Sequence, residues 1–250
     1  MNRIVVKIGT KVLTGEDDAL DAAFLERLVT QIVELRKKGV QVVVVTSGAV
    51  GAGKSLVSLE GIESETIQKQ VYAAVGQVTL MQTYAEFFAA HDFHCAQVLA
   101  TKEDFRDEAH YKNMQNCFEG LLLDNVVPIV NENDVVATTE LLFTDNDELA
   151  GLVATQLAAD KLIILTTTNG VLDKYGSTIP EINSKNAAQA AQYVTPDKST
   201  GGRGGMTSKF AVALGLLEKG IVTHIVDGRH ENVLLEIAED KASGTKFAEH

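Results

Sequence analysis

Apolar residues recur along this chain in two rhythms. Residues 3–8, 41–46, 93–99, 125–130, 161–166 and 221–226 are short runs rich in β-branched residues, as where Gln41 is followed by four valines. These runs predict β-strands. Most are apolar on both faces, the pattern of parallel strands covered by helices on each side. Between them the spacing lengthens to that of a helix. Over 21–38, Phe24, Leu25, Leu28, Ile32 and Leu35 make one apolar stripe, with Asp21 placed to cap the start and Gly39 to end it. Segments 64–90, 110–124, 145–159 and 207–219 read the same way. The alternation predicts an α/β protein, a three-layer α/β/α sandwich on a mainly parallel sheet. No low-complexity linker, repeat or charge block divides the 250 residues, so one domain over 1–250 is expected. Segment 168–208 departs from the rhythm: it is polar and contains Pro180 and Pro196. It predicts hairpins and loops of the kind that cover ligands.

Composition narrows the function. Apolar residues make up 45% of the chain and supply a sizeable core. A formal charge of -12 disfavours a nucleic-acid binder, whose affinity comes from clustered Lys and Arg. An anionic substrate must therefore be met by a local group of cations. Cys95 and Cys117 cannot make a disulfide framework, and their apolar neighbours suggest buried thiols in a reducing compartment. The start of the chain lacks a cationic stretch followed by an apolar run, and the longest apolar runs are strand-length. A soluble, cytoplasmic protein without a membrane partner is expected.

In open parallel sheets ligands bind beyond the carboxyl ends of the strands. Here those ends are polar or glycine-rich: Lys7, Gly9, Thr10 and Lys11; Ser47, Gly48, Gly51 and Gly53; Asn131, Glu132, Asn133 and Asp134; Thr166, Thr167 and Thr168. The second of these groups, 46–55, satisfies the Walker A pattern, with Gly48, Gly53, Lys54 and Ser55 in place after a strand. A P-loop enzyme also needs a strand ending in a metal-binding Asp, for which Asp227 is the candidate. Lys7 is embedded in an apolar run, so it must either reach solvent or find an anion. The segment 202–209 precedes a helical pattern. Its backbone N–H groups can meet phosphate oxygens while Lys209 adds a full charge, although a glycine-rich surface loop is the plainer reading. Asp134, Glu140, Asp145 and Asp147 form an acidic stretch without His or Cys at ligand spacing, so no metal-binding residues are expected. The asparagines among them can satisfy both ends of a zwitterion.

Taken in order, VVKIGTKVLTG, VVVTSGAVGAG, DFRDEAHYKN, PIVNENDVVAT, LLFTDND and GRGGMTSKFAVA resemble the glutamate 5-kinases of the amino-acid kinase superfamily. The resemblance implies the α/β/α amino-acid kinase fold, with ATP and magnesium as co-substrates. It also implies transfer of phosphate to the side-chain carboxylate of glutamate in the first step of proline synthesis. Under it Lys7, Lys209 and Asp147 are catalytic, the two lysines neutralising transferring charge and Asp147 orienting them. Ser47, Gly48, Asp134 and Asn146 hold glutamate. Lys7, Thr166, Thr167, Arg203, Gly204, Gly205, Met206, Thr207, Ser208 and Lys209 meet the nucleotide, and the Walker-like string becomes part of the glutamate and phosphate loop. Acetylglutamate kinase is the nearest rival; Asp134, suited to a free ammonium, favours glutamate. The resemblance further implies proline as a feedback inhibitor and a homo-oligomer, dimer or tetramer. The chain stops near GTKF, before the C-terminal PUA domain of many relatives, so a kinase domain alone is expected. Thr167 stands where many relatives have Asp, Thr144 where they have glycine, and Arg203 where they have threonine.

Overall fold

The computed structural model describes residues 2–14, 19–137, 143–194, 205–241 and 243–249. The valine- and isoleucine-rich runs become neighbours in one sheet. Its strands are β1 (Arg3–Ile8), β2 (Gln41–Val45), β3 (His94–Ala100), β4 (Val126–Glu132), β5 (Lys161–Thr166), β6 (Glu181–Ile182), β7 (Val222–Asp227) and β8 (Thr245–Phe247). Among the described residues the order is β3-β4-β2-β1-β5-β7-β8-β6. The run from β3 to β7 is parallel throughout, while β8 lies antiparallel to β7 and pairs with β6. The mainly parallel sheet expected from two-sided apolar strands is therefore present. The two short strands β6 and β8 escaped prediction, because two or three residues carry no periodicity.

The helices are α1 (Thr10–Leu13), α2 (Ala22–Lys37), α3 (Ala49–Lys54), α4 (Glu65–Ala89), α5 (Glu108–Leu123), α6 (Asn146–Gln156), α7 (Ala187–Ala191), α8 (Met206–Leu217) and α9 (Val233–Ala238). Capping follows the sequence closely. The Asp21 side chain accepts from the Phe24 N–H at 2.9 Å, and Gly39 leaves α2 with φ of +82°. Asp145 caps α6, accepting from the N–H groups of Asp147 at 2.8 Å and Glu148 at 3.1 Å. Within 168–208, Leu172 bridges Thr178 antiparallel, as a hairpin should, and α7 and β6 follow.

Strand alternation decides which way each β1 residue faces. Ile4, Val6 and Ile8 pack in the core under α2, α4 and α9. Val5 packs in the other core with residues of α6 and α8, and Lys7 shares its side of the strand. Full burial of such aliphatic side chains is worth about 1.5–3 kcal/mol each, so a slip of one residue is strongly disfavoured. Register thus places a lysine almost wholly inside the fold, where it meets Asp147. Cys117 corrects an expectation: it is exposed on the outer face of α5, while Cys95 is half-buried and its thiol is pushed up by burial.

His224 of β7 is buried opposite Lys246 of β8. Burial, and then the charges of Lys161 and Lys246, push it down to about 4. An unfolded histidine titrates near 6.5, so between these values the unfolded chain binds the extra proton. Stability from this group is complete above about pH 6.5 and declines as pH falls toward 4, by about 3 kcal/mol in all. A urea-unfolding series across that range should show the decline in the parent chain and a distinctly flatter profile in His224→Leu.

Candidate active site

Lys7 stands near the end of β1, Asp147 in the first turn of α6 and Lys209 in the first turn of α8. Asp147 is wholly buried, and its carboxylate contacts both ammonium groups: Lys7 Nζ lies 2.7 Å from Oδ1, and Lys209 Nζ donates to Oδ2 at 2.9 Å. Burial by itself would raise the Asp147 carboxyl. The two ammoniums outweigh that effect and hold it below the usual carboxylate range. Lys7 is held below the ordinary lysine range, first by burial and also by Lys209, with Asp147 opposing. Two cations against one carboxylate leave this trio with one net positive charge.

These lysines open onto a cavity of about 940 Å³ at the carboxyl ends of β1, β2, β4 and β5. Asn146 donates its amide to the carbonyl of Thr46 at 2.6 Å, to Ser47 Oγ at 3.0 Å and to Asn131 Oδ1 at 3.0 Å. Asn131 in turn donates to Gln77 Oε1 at 3.0 Å. The amides therefore form a connected network along the cavity floor, tying the ends of β2 and β4 to α6. Asp134 lies in the turn after β4 and is ion-paired with Lys69 of α4. Thr166 and Thr167 line the same cavity at the end of β5. Arg229 braces that end: its guanidinium donates to both carboxylate oxygens of Asp227 and to the Thr167 carbonyl at 2.9 Å. Thr144, the other departure among the described residues, donates its N–H to Glu148 at 2.8 Å.

Of the expected site residues, Lys7, Lys209, Ser47, Gly48, Asp134, Asn146, Thr166, Thr167, Gly205 and Met206 all line the cavity. Asp147 sits behind the lysines, too deep to touch a ligand. Thr207 and Ser208 occupy the first turn of α8 without lining the cavity, and Arg203 and Gly204 lie outside the described residues. Lys69, Tyr72 and Tyr193 also line it and were not singled out in the sequence. No local motif marks Lys69, whose partner is 65 positions away.

The Walker reading fails on geometry. A P-loop places its lysine where a helix begins, but here Gly48 is the N-cap of α3 and Lys54 its last residue. Asp227, the proposed metal ligand, is engaged by Arg229. The glycines have other work. Gly48 has φ of +93°, and a Cβ on Gly53 would stand 1.9 Å from the Tyr72 carbonyl oxygen. Gly53 lets α3 cross α4 backbone to backbone, where any side chain would collide.

The chain matches the model of the amino acid kinase family over residues 2–227. It is 48% identical to the glutamate 5-kinase of Chlorobaculum tepidum, over 98% of this chain and 68% of that protein. Identity to the glutamate 5-kinase of Bacteroides thetaiotaomicron is 39%, over 98% of this chain and 69% of the relative. Among solved structures, the carbamate kinase of Giardia superposes with a TM-score of 0.71 at 17% identity, covering 100% of this chain and 99% of its own. The N-acetylglutamate synthase of Neisseria gonorrhoeae superposes at 0.72, also at 17% identity, covering 100% of this chain and 62% of the other. Those two likenesses concern the fold. With its family match and these identities, the chain belongs to the amino acid kinase family and, within it, to the glutamate 5-kinases.

Proposed function

We propose that this protein transfers the terminal phosphoryl group of ATP to the side-chain carboxylate of L-glutamate, giving L-glutamyl 5-phosphate and ADP. The observation that carries the reading is the buried Lys7–Asp147–Lys209 trio, with its surplus positive charge, at the base of a cavity that also holds Asp134 and Asn146. A carboxylate oxygen attacks the terminal phosphorus, the new O–P bond forms, and the bond to the bridging oxygen of ADP breaks. No proton need move, because the acceptor is already an anion. The protein's task is alignment and charge neutralisation.

Each residue has a distinct part in that task. Lys7 and Lys209 meet the transferring phosphoryl oxygens. Asp147, shielded from the cavity, positions both lysines and opposes the loss of charge that burial favours at Lys7. Ser47, Gly48, Asn146 and Asp134 hold glutamate, Asp134 taking its ammonium. Thr166, Thr167, Gly205 and Met206 hold the nucleotide. The described residues contain no group of three His, Cys, Asp or Glu that could cage a metal. Magnesium, which the resemblance implies, would be carried by the nucleotide phosphates and would neutralise their oxygens there. Proline as feedback inhibitor, a homo-oligomer and a cytoplasmic setting belong to the same reading and rest on the resemblance. Among the described residues no helix is long and apolar enough to cross a membrane.

Hydroxylamine trapping tests the proposal. With MgATP and glutamate, ADP should form together with glutamyl hydroxamate, and N-acetylglutamate should be a poor substitute because it offers Asp134 no ammonium. Preference for the acetylated compound would overturn the reading.

A further inference from the structure

We propose that Lys69 determines specificity by exchanging partners: when glutamate binds, Lys69 leaves Asp134 and takes the substrate's α-carboxylate, while Asp134 takes the α-ammonium. This rests on glutamate being the substrate. Asp134 is the expected partner of a substrate ammonium, yet in this structure a protein ammonium already occupies it. The substrate must therefore displace or share that contact.

The geometry suits an exchange. The Asp134 side chain is 11% exposed and that of Lys69 is 32% exposed, so the carboxylate is the fixed member and the long lysine the movable one. Both line the cavity, as do Glu65 and Gln68 on the first turns of α4. Gln70 donates to the Val135 carbonyl at 3.0 Å, fastening the α4 backbone to the turn that carries Asp134. Lys69 can thus swing without moving the helix. Lys11 and Lys54 also line the cavity, but it is Lys69 that the fold sets against Asp134.

Charge conservation gives the exchange its selectivity. The pair is neutral and so is the zwitterionic head of an α-amino acid, so two ion contacts replace one and no charge is stranded. A ligand with an ammonium and no α-carboxylate would take Asp134 and leave Lys69 without an anion. That is the chemistry of 4-aminobutyrate, which keeps the reacting carboxylate of glutamate and lacks the other.

The test compares Lys69→Met with the parent, using both compounds. For glutamate, KM should rise roughly 10–100-fold with kcat little changed, as expected when a charged hydrogen bond to bound substrate is lost. For 4-aminobutyrate, assayed as substrate or as competitive inhibitor, affinity should hold or improve, because the competitor for Asp134 is gone. Lys69→Arg should keep most of the preference for glutamate, and it serves as the test variant beside the parent if Lys69→Met does not fold, with a collapsed preference counting against the proposal. Equal losses for both compounds in Lys69→Met would show that Lys69 only props Asp134, and would overturn the exchange. A parent enzyme inactive on glutamate would instead overturn the substrate assignment itself.

Discussion

Turnover in Lys7→Met and in Lys209→Met falls by about two to three powers of ten, the usual cost of removing one preorganised electrostatic group from a transition state. The structure says why either loss suffices. With one lysine gone, Asp147 neutralises the other, and the trio's charge drops from one net positive to zero. The fold survives, since the remaining pair is balanced and methionine fills the vacated apolar path. Stopped assays of ADP release beside urea unfolding separate the two effects. Near-normal turnover in either variant removes that lysine from the mechanism.

Asp147→Asn has the reverse emphasis. It leaves two ammoniums facing each other in a buried site, and breaking a buried ion pair by removing one partner costs about 3–5 kcal/mol. Lys7, already held low by burial, loses its main opposing influence and sheds its proton more readily. Stability and turnover therefore fall together. Adding Lys7→Met to Asp147→Asn should recover part of the stability by removing one stranded charge, and none of the turnover. A single variant as stable as the parent would contradict the view that Asp147 balances both lysines.

Much of this was legible in the sequence because strand and helix periodicities are local. Lys7 stood out as a lysine inside an apolar strand, and alternation along β1 alone places it opposite the Ile4–Val6–Ile8 core. Its partners were less accessible. Asp147 and Lys209 lie 140 and 202 positions further on (147 − 7 and 209 − 7), so only the resemblance joined them before the fold did. The Walker-like string was a decoy, because a glycine pattern does not say what the glycines approach. Gly53 admits another helix, and Lys54 ends α3 instead of starting it. The pairing of Lys69 with Asp134 left no mark at all, since it depends on how α4 crosses the end of β4. Cys117 was misplaced for a related reason: its apolar neighbours Phe118 and Leu122 turn inward on α5 while it turns out.

The central claim is that the side-chain carboxylate itself attacks phosphorus within a charge-neutralising site. Glutamate carrying heavy oxygen in that carboxylate, incubated with MgATP and hydroxylamine, tests it most directly. Hydroxylamine attacks the carbonyl carbon of the acyl phosphate, so the released phosphate keeps the bridging oxygen. The account predicts phosphate bearing one labelled oxygen, matched in amount to glutamyl hydroxamate. Unlabelled phosphate in step with ADP release would mean that water, not glutamate, accepts the phosphoryl group, and would contradict the account.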